Sequence, residues 1–219
     1  LLGQNKKLQF TILSRGNIPL KISSLSSSDS SFLPDTIKDI SISPGDSQLV
    51  QVSFLPLKMG SAKGNLTVQS NARLNSLQSV ELNGRGMAAR LSLSLDTLLF
   101  DSVRVGSTIK HNIIVTNKGN YVLRIKGISS DSAQFVPSPG SMNLNTGKSD
   151  TVSLSFTPNR LDSIHGKLTF TSNDSSDRSG KHIFLSGVGV HSVIGAIPRS
   201  HDFGRVRIDS SKDCTITIG

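Results

Sequence analysis

"NTGKSDTVSLSFTP", residues 145–158, falls on "SPGDSQLVQVSFLP", residues 43–56, when the chain is slid along itself by 102 positions. Gly147-Lys148-Ser149 has the look of the end of a phosphate-binding loop. Such a loop needs a further Gly five positions before Gly147, so that its backbone N–H groups can wrap the phosphates, and that position is Met142. The sister copy places Asp46 where Lys148 stands, a substitution that an anion site would not be expected to accept. Downstream, Val152, Leu154 and Phe156 occupy alternate positions, which is the pattern of a half-buried strand. Gly147 and Gly45 therefore turn the chain into a strand, and no nucleotide is implied.

The match extends in both directions. "SRGNIPLKISSL" (14–25) pairs with "NKGNYVLRIKGI" (117–128), and "SFLPLKMGSAKGNLTVQSNA" (53–72) with "SFTPNRLDSIHGKLTFTSND" (155–174). "VELNGRG" (80–86) pairs with "IFLSGVG" (183–189), and "FDSVRVGST" (100–108) with "FGRVRIDSS" (203–211). Four matches in one order at offsets of 102 to 103 make the repeat the size of a domain, not of a solenoid turn.

Within each copy the apolar residues keep a period of two. Ile113 and Val115 answer to Phe10 and Ile12, and to Ile216 and Ile218; Leu123 and Ile125 answer to Leu20 and Ile22. Leu168 and Phe170 answer to Leu66 and Val68, Ile183 and Leu185 to Val80 and Leu82, and Phe100 and Val103 to Phe203 and Val206. No helical period competes. About seven short strands per copy, parted by Gly, Asn, Ser and Pro turns, specify an all-β chain of tandem immunoglobulin-like antiparallel β-sandwiches. Gly16-Asn17 and Gly119-Asn120 are expected in tight connections that use positive φ, and Pro56 and Pro158 after strand ends. The Ser-rich stretch 23–32 is expected to be a loop.

The chain carries 24 Lys and Arg against 15 Asp and Glu, a net charge of +9. The excess is spread, +4 in residues 1–88, +4 in 89–190 and +1 in the remainder, with no run of four basic residues. With no Trp and only Tyr121 to stack bases, no nucleic-acid partner is expected. No apolar run approaches the roughly 20 residues of a membrane span. The lone Cys214 excludes an internal disulfide and a multi-cysteine metal site.

"FDSVRVGST…VTNKGNYVLRIKGI…LNTGKSDTVSLSFTPN…GKLTFTSNDSS…IFLSGVG" resembles the ASH/hydin-type immunoglobulin-like domain. It is also similar to the repeats of bacterial choice-of-anchor D proteins, and more distantly to major sperm protein and PapD-like sandwiches. The resemblance covers the whole chain: an Ig-like sandwich lacking its first strand at 1–88, a complete one at 89–190, and the opening strands of a third at 191–219. It implies an interaction or scaffold module, of the kind found in cilia, centrosomes and bacterial envelopes. The partners it implies are proteins and the neighbouring Ig-like repeats of the same chain.

No constellation of catalytic residues emerges. His111, His165, His182, His191 and His201 lack metal-ligand spacing and are matched one repeat earlier by Leu8, Lys63, Ser79, Ala88 and Leu98, as surface or strand-end residues would be. No Gly-x-Ser-x-Gly elbow occurs. Asp131, Asp174 and Asp177 fall in loops without a calcium ladder, and the sequons at Asn65 and Asn173 carry no further sign of glycosylation. The expectation is a non-enzymatic segment of a larger protein, with no catalytic, cofactor-binding or metal residues and no cofactor. It would act as a structural spacer, adhesion stalk or protein-interaction module in a bacterial envelope or a secreted protein. The alternatives are a ciliary or centrosomal scaffold in the cytoplasm, and a carbohydrate-binding accessory module of a secreted enzyme, which would want more aromatic platforms than Tyr121. Lys148→Ala is expected to leave folding unchanged and to create or remove no ATP binding. Saturable micromolar binding by calorimetry, lost in the variant, would overturn the turn reading.

Overall fold

Val152, Leu154 and Phe156 are fully buried, and the residues between them are not, as their alternation requires. The computed structural model describes residues 2–37, 39–177, 180–197 and 200–218. Its first module is built from Lys6–Leu13 (β1), Leu20–Ser27 (β2), Phe32–Pro34 (β3), Ile40–Ile42 (β4), Ser47–Phe54 (β5), Gly60–Ser70 (β6) and Leu77–Gly86 (β7). These form two sheets in the orders β1-β5-β3 and β4-β2-β6-β7.

The second module opens with Leu91–Leu93 (β8) and Thr97–Arg104 (β9). It continues through Ile109–Asn117 (β10), Leu123–Ser130 (β11), Phe135–Ser138 (β12), Met142–Leu144 (β13), Ser149–Phe156 (β14), Ser163–Ser172 (β15) and Lys181–Val190 (β16). Its sheets run β12-β14-β10-β8 and β13-β11-β15-β16-β9. Beyond it, among the described residues, only Ala196–Ile197 (β17) and Thr217–Ile218 (β18) pair. No helix occurs among the described residues, and the chain is a tandem of all-β Ig-like sandwiches.

Both copies enter the aligned strand by the same turn. Gly147 (φ 72°) donates to the Asn117 carbonyl and Asn117 N–H to the Lys148 carbonyl; Gly45 (φ 84°) and Ser14 repeat the pair, Ser14 N–H donating to the Asp46 carbonyl. Only backbone groups make these bonds, so Lys and Asp serve equally. On the opposite sheet Gly187 and Gly84 each leave room for a ring. A Cβ there would lie 2.4 Å from Phe156 and from Phe54 respectively.

Three expectations are corrected. The sandwich is not wholly antiparallel: β9 runs parallel to β16, because the leading stretch first pairs with β10 through β8 and then crosses to the other sheet. One residue cannot hydrogen-bond into both layers, so the segment divides between them. The Ser-rich stretch is a loop only in part, since residues 23–27 belong to β2 and residues 24–27 pair with β6. Neither Gly16-Asn17 nor Gly119-Asn120 adopts positive φ.

The cores of the two modules differ. In the second, one continuous cluster joins both sheets, and Phe100 from β9 meets Phe135 and Phe156 at centroid distances of 5.5 and 5.2 Å. In the first, the buried residues separate into two smaller clusters, and Phe32 and Phe54 stack at 4.8 Å as a pair. Strand β7 is an edge there, and Val80, expected inward by its match to Ile183, is 41% exposed because no strand lies beside it as β9 lies beside β16. Phe156→Ala is accordingly expected to cost about 3–5 kcal/mol and Phe54→Ala, whose ring is half-buried, about 2 kcal/mol. Urea denaturation of both variants checks this; equal losses would mean that the third ring adds nothing.

Candidate functional site

The chain passes from one module to the next through Gly86, Met87, Ala88, Ala89 and Arg90, and the second module holds this passage by its backbone. Ala88 and Ala89 are buried although both are small, since the polypeptide itself fills the space. Asn120 grips it from both sides. Its Oδ1 accepts from Ala88 N–H at 2.8 Å, its Nδ2 donates to the Gly86 carbonyl at 2.9 Å, and its own N–H donates to the Ala88 carbonyl at 3.0 Å. Gly119 is required for this approach: a Cβ there would sit 2.2 Å from the Ala88 carbonyl oxygen. The Gly-Asn pair thus serves close packing, not a positive-φ turn.

Asn117, fully buried at the end of β10, ties the same region together. Its Nδ2 donates to the Tyr121 and Leu144 carbonyls at 2.8 and 3.0 Å, while Oδ1 accepts from Gly119 N–H at 2.9 Å and Arg90 N–H at 3.4 Å. All four hydrogen-bonding positions of the carboxamide are used, which is how a buried amide offsets its desolvation.

Asp174 supplies the charge. Its Oδ2 accepts from Leu91 N–H at 2.8 Å, and its Oδ1 from Arg90 Nη1 at 2.8 Å and from the Ser176 hydroxyl and N–H at 2.6 and 2.9 Å. Burial pushes the carboxyl up, but the bonds from Ser176, Leu91 and Arg90 together outweigh it and hold the group below the usual carboxylate range. The aligned position in the first module is Ala72, so this anchor belongs to the second module alone.

Sequence reasoning places Asp174 in a loop without a role, because its partners lie 83 and 84 residues away. It also misses Asn173 and its counterpart Asn71. Asn173 accepts from Arg124 N–H and donates to the Val122 carbonyl; Asn71 does the same to Lys21 and Pro19. The shared spacing of "SNA" and "SND" in the two copies is the signal that could have found them. The carboxamide of the second sequon is therefore engaged in strand contacts, whereas Asn65 is exposed on β6.

The remaining candidates do not converge. Lys148 is exposed on its turn, and Asp131 accepts from Lys167 N–H at 2.6 Å. His165, His191 and His201 are exposed, as is His182, while His111 lies within β10 with its ring edge-on to Phe100 at 4.9 Å, a packing role in place of the expected strand-end one. Among the described residues no three His, Cys, Asp or Glu side chains gather to hold a metal, and no helix is long and apolar enough to cross a membrane.

Residues 89–186 match the model of the HYDIN/CFA65/VesB-like Ig-like domain family, so the resemblance read from the sequence holds for the second module. The match shows an Ig-like domain, consistent with a structural or interaction module. No curated protein matches the chain. Among solved structures it is similar to the ASH/PapD-like domain of human CEP192 (16% identity, 48% of this chain and 89% of that one, TM-score 0.43). It is also similar to a protein of unknown function from Porphyromonas gingivalis W83 (15%, 84% and 91%, 0.41) and to the E. coli chaperone DraB (14%, 46% and 55%, 0.38).

The Asp174 anchor has a pH signature. A carboxyl held below its ordinary value stabilises the fold fully above the unfolded-state pKa of about 3.9, and that contribution fades as pH falls through the lower folded value. Asp174→Asn is expected to cost about 2–4 kcal/mol at neutral pH, with the gap to the unaltered chain narrowing as pH falls from neutral through about 4 and below. Thermal melts across that range check it; a constant gap would show that the charge is not what holds Arg90 and Leu91.

Proposed function

We propose that this chain, whose second module matches the HYDIN/CFA65/VesB-like Ig-like family, is a non-enzymatic tandem of Ig-like modules that works as a structural spacer within a larger protein. In this reading residues 1–88, 89–190 and 191–219 are successive modules, the last represented by its opening strands. The observation that carries it is the joint: Asn120 bonds to Gly86 and Ala88 on the way out of the first module, while Asp174 and Asn117 fix Arg90 and Leu91 on the way into the second. A linker held residue by residue transmits orientation and force, where a free linker would let modules turn independently. The spread of basic charge fits a surface made to separate other domains.

Protein partners are the second element of the proposal. The outer strands of each sheet present unpaired backbone groups, the surface on which an extended peptide adds as a further strand. An envelope or secreted setting is preferred to a cytoplasmic scaffold. The carbohydrate-binding reading would have to rest on Tyr121, which is half-buried.

The test is the rigidity of the joint. Residual dipolar couplings of the 219-residue chain are expected to fit one alignment tensor for residues 6–190. Asn120→Ala, losing two side-chain bonds worth about 1–2 kcal/mol in all, is expected to need two. Modules that already align independently in the unaltered chain would overturn the spacer reading.

A further inference from the structure

Strand β9 ends the five-stranded sheet of the second module, and among the described residues no strand pairs with its far side. It is 8 residues long, whereas β8, β12 and β13, which end the other sheet margins of this module, have 3, 4 and 3. Pro137 also leaves β12 short of a donor. Phe184 N–H donates to the Asp96 carbonyl at 2.9 Å, and in that ladder the N–H and C=O of Leu98 turn toward β16 as well. Thr97 and Leu99 alternate with them, so their N–H and C=O groups point away from the sheet.

We propose that residues 97–100 take up an extended segment of a partner protein, with an apolar residue beside Leu99 and Lys or Arg at its two ends. Leu99 and Phe184 are 60% and 55% exposed, and they lie on adjacent strands of one sheet face, Phe184 opposite Thr97 and Leu99 opposite Ser186. The unused edge is thus bordered by an apolar pair, and the first module has Glu81 at the place of Phe184. The stretch itself carries no charge, while exposed Asp96 and Asp101 stand at its two ends. Asp101 (φ 51°) is also where the ladder with β16 shifts register, which limits regular pairing to the residues before it.

These features select the occupant. Unpaired N–H and C=O groups along a strand are complemented by another backbone, as when a peptide adds to a sheet edge. A lipid surface or a nucleic acid offers no such backbone, and its phosphates would meet Asp96 and Asp101. A second copy of the same stretch, paired antiparallel about its middle, would set Asp96 of each chain against Asp101 of the other. A segment whose cations are spaced as Asp96 and Asp101 are can reach both carboxylates, since an added strand rises at the same ~3.3 Å per residue as β9. The proposal rests on the protein-partner reading above and assigns to it one edge and one chemistry.

The experiment titrates the 219-residue chain with a capped peptide of alternating Val and Thr between terminal Lys residues. Amide chemical shifts are expected to move at residues 97–100 and 184 and to saturate, with the Thr97 and Leu99 amide hydrogens exchanging about tenfold more slowly in the bound state. A peptide with Glu at both ends should bind about fivefold or more weakly, and the double variant Asp96→Asn, Asp101→Asn should bind the two peptides alike. Asn accepts the φ of 51° at position 101, so the fold is kept. Leu99→Lys should weaken binding about tenfold while thermal melting stays unchanged, since Leu99 lies outside the core. Equal binding of the Lys and Glu peptides by the unaltered chain overturns the proposal, as does association of the chain with itself through residues 97–100. Shifts confined to β8, β12 or β13 overturn it too while keeping the protein-partner reading, and no edge responding to either peptide counts against both.

Discussion

The second module depends on one segment that serves two sheets. Residues 91–93 extend the β10 sheet, and residues 97–104 then run parallel to β16 in the other. Crossing between layers places Leu91, Leu98, Phe100 and Val103 over what are otherwise open margins, and the two inner faces become one cluster. The first module shows the consequence by contrast. Its strands have the same order and registers, yet its interior divides in two and Val80 faces solvent. Apolar burial is worth roughly 25 cal/mol per Å², so a strand that covers both margins weighs more than its length suggests.

The same segment explains how the joint is held. A leading strand must begin at a fixed height, and the chain reaches it directly from the preceding module. Asn117, Asn120 and Asp174 meet the backbone at Gly86, Ala88, Arg90 and Leu91, so fixing the strand and fixing the neighbour are one act. The recurring glycines belong to this geometry. Gly187 admits the Phe156 ring, while Gly119 admits the Ala88 carbonyl, and neither uses the left-handed region.

Much of the sandwich was legible in the sequence because strand alternation is local: a residue's face follows from its parity, whatever it meets. Val152, Leu154, Phe156, Leu168 and Phe170 are buried as their spacing requires. Where sequence and structure part, a tertiary partner decided. Val80 has the parity of a core residue without the strand that would cover it, and residues 24–27 have loop composition yet pair with β6. The joint was less legible still. Asn120 was visible as half of a Gly-Asn pair, and the more common use of that pair in turns masked its grip on a neighbouring backbone.

By itself, then, the sequence determined the repeat, its length, the inward faces and the absence of a phosphate loop, all of which come from comparing positions one period apart. Only the tertiary structure decided that β9 lies parallel to β16, that Asp174 binds Arg90 and Leu91, and that the Ser14 hydroxyl is buried without a partner. The physical reason is range. Parity and turn chemistry are settled among neighbours along the chain. A polar side chain's partner is settled by which backbone the packed sheets bring within about 3 Å of it, and Asp174 finds its partners more than eighty residues away.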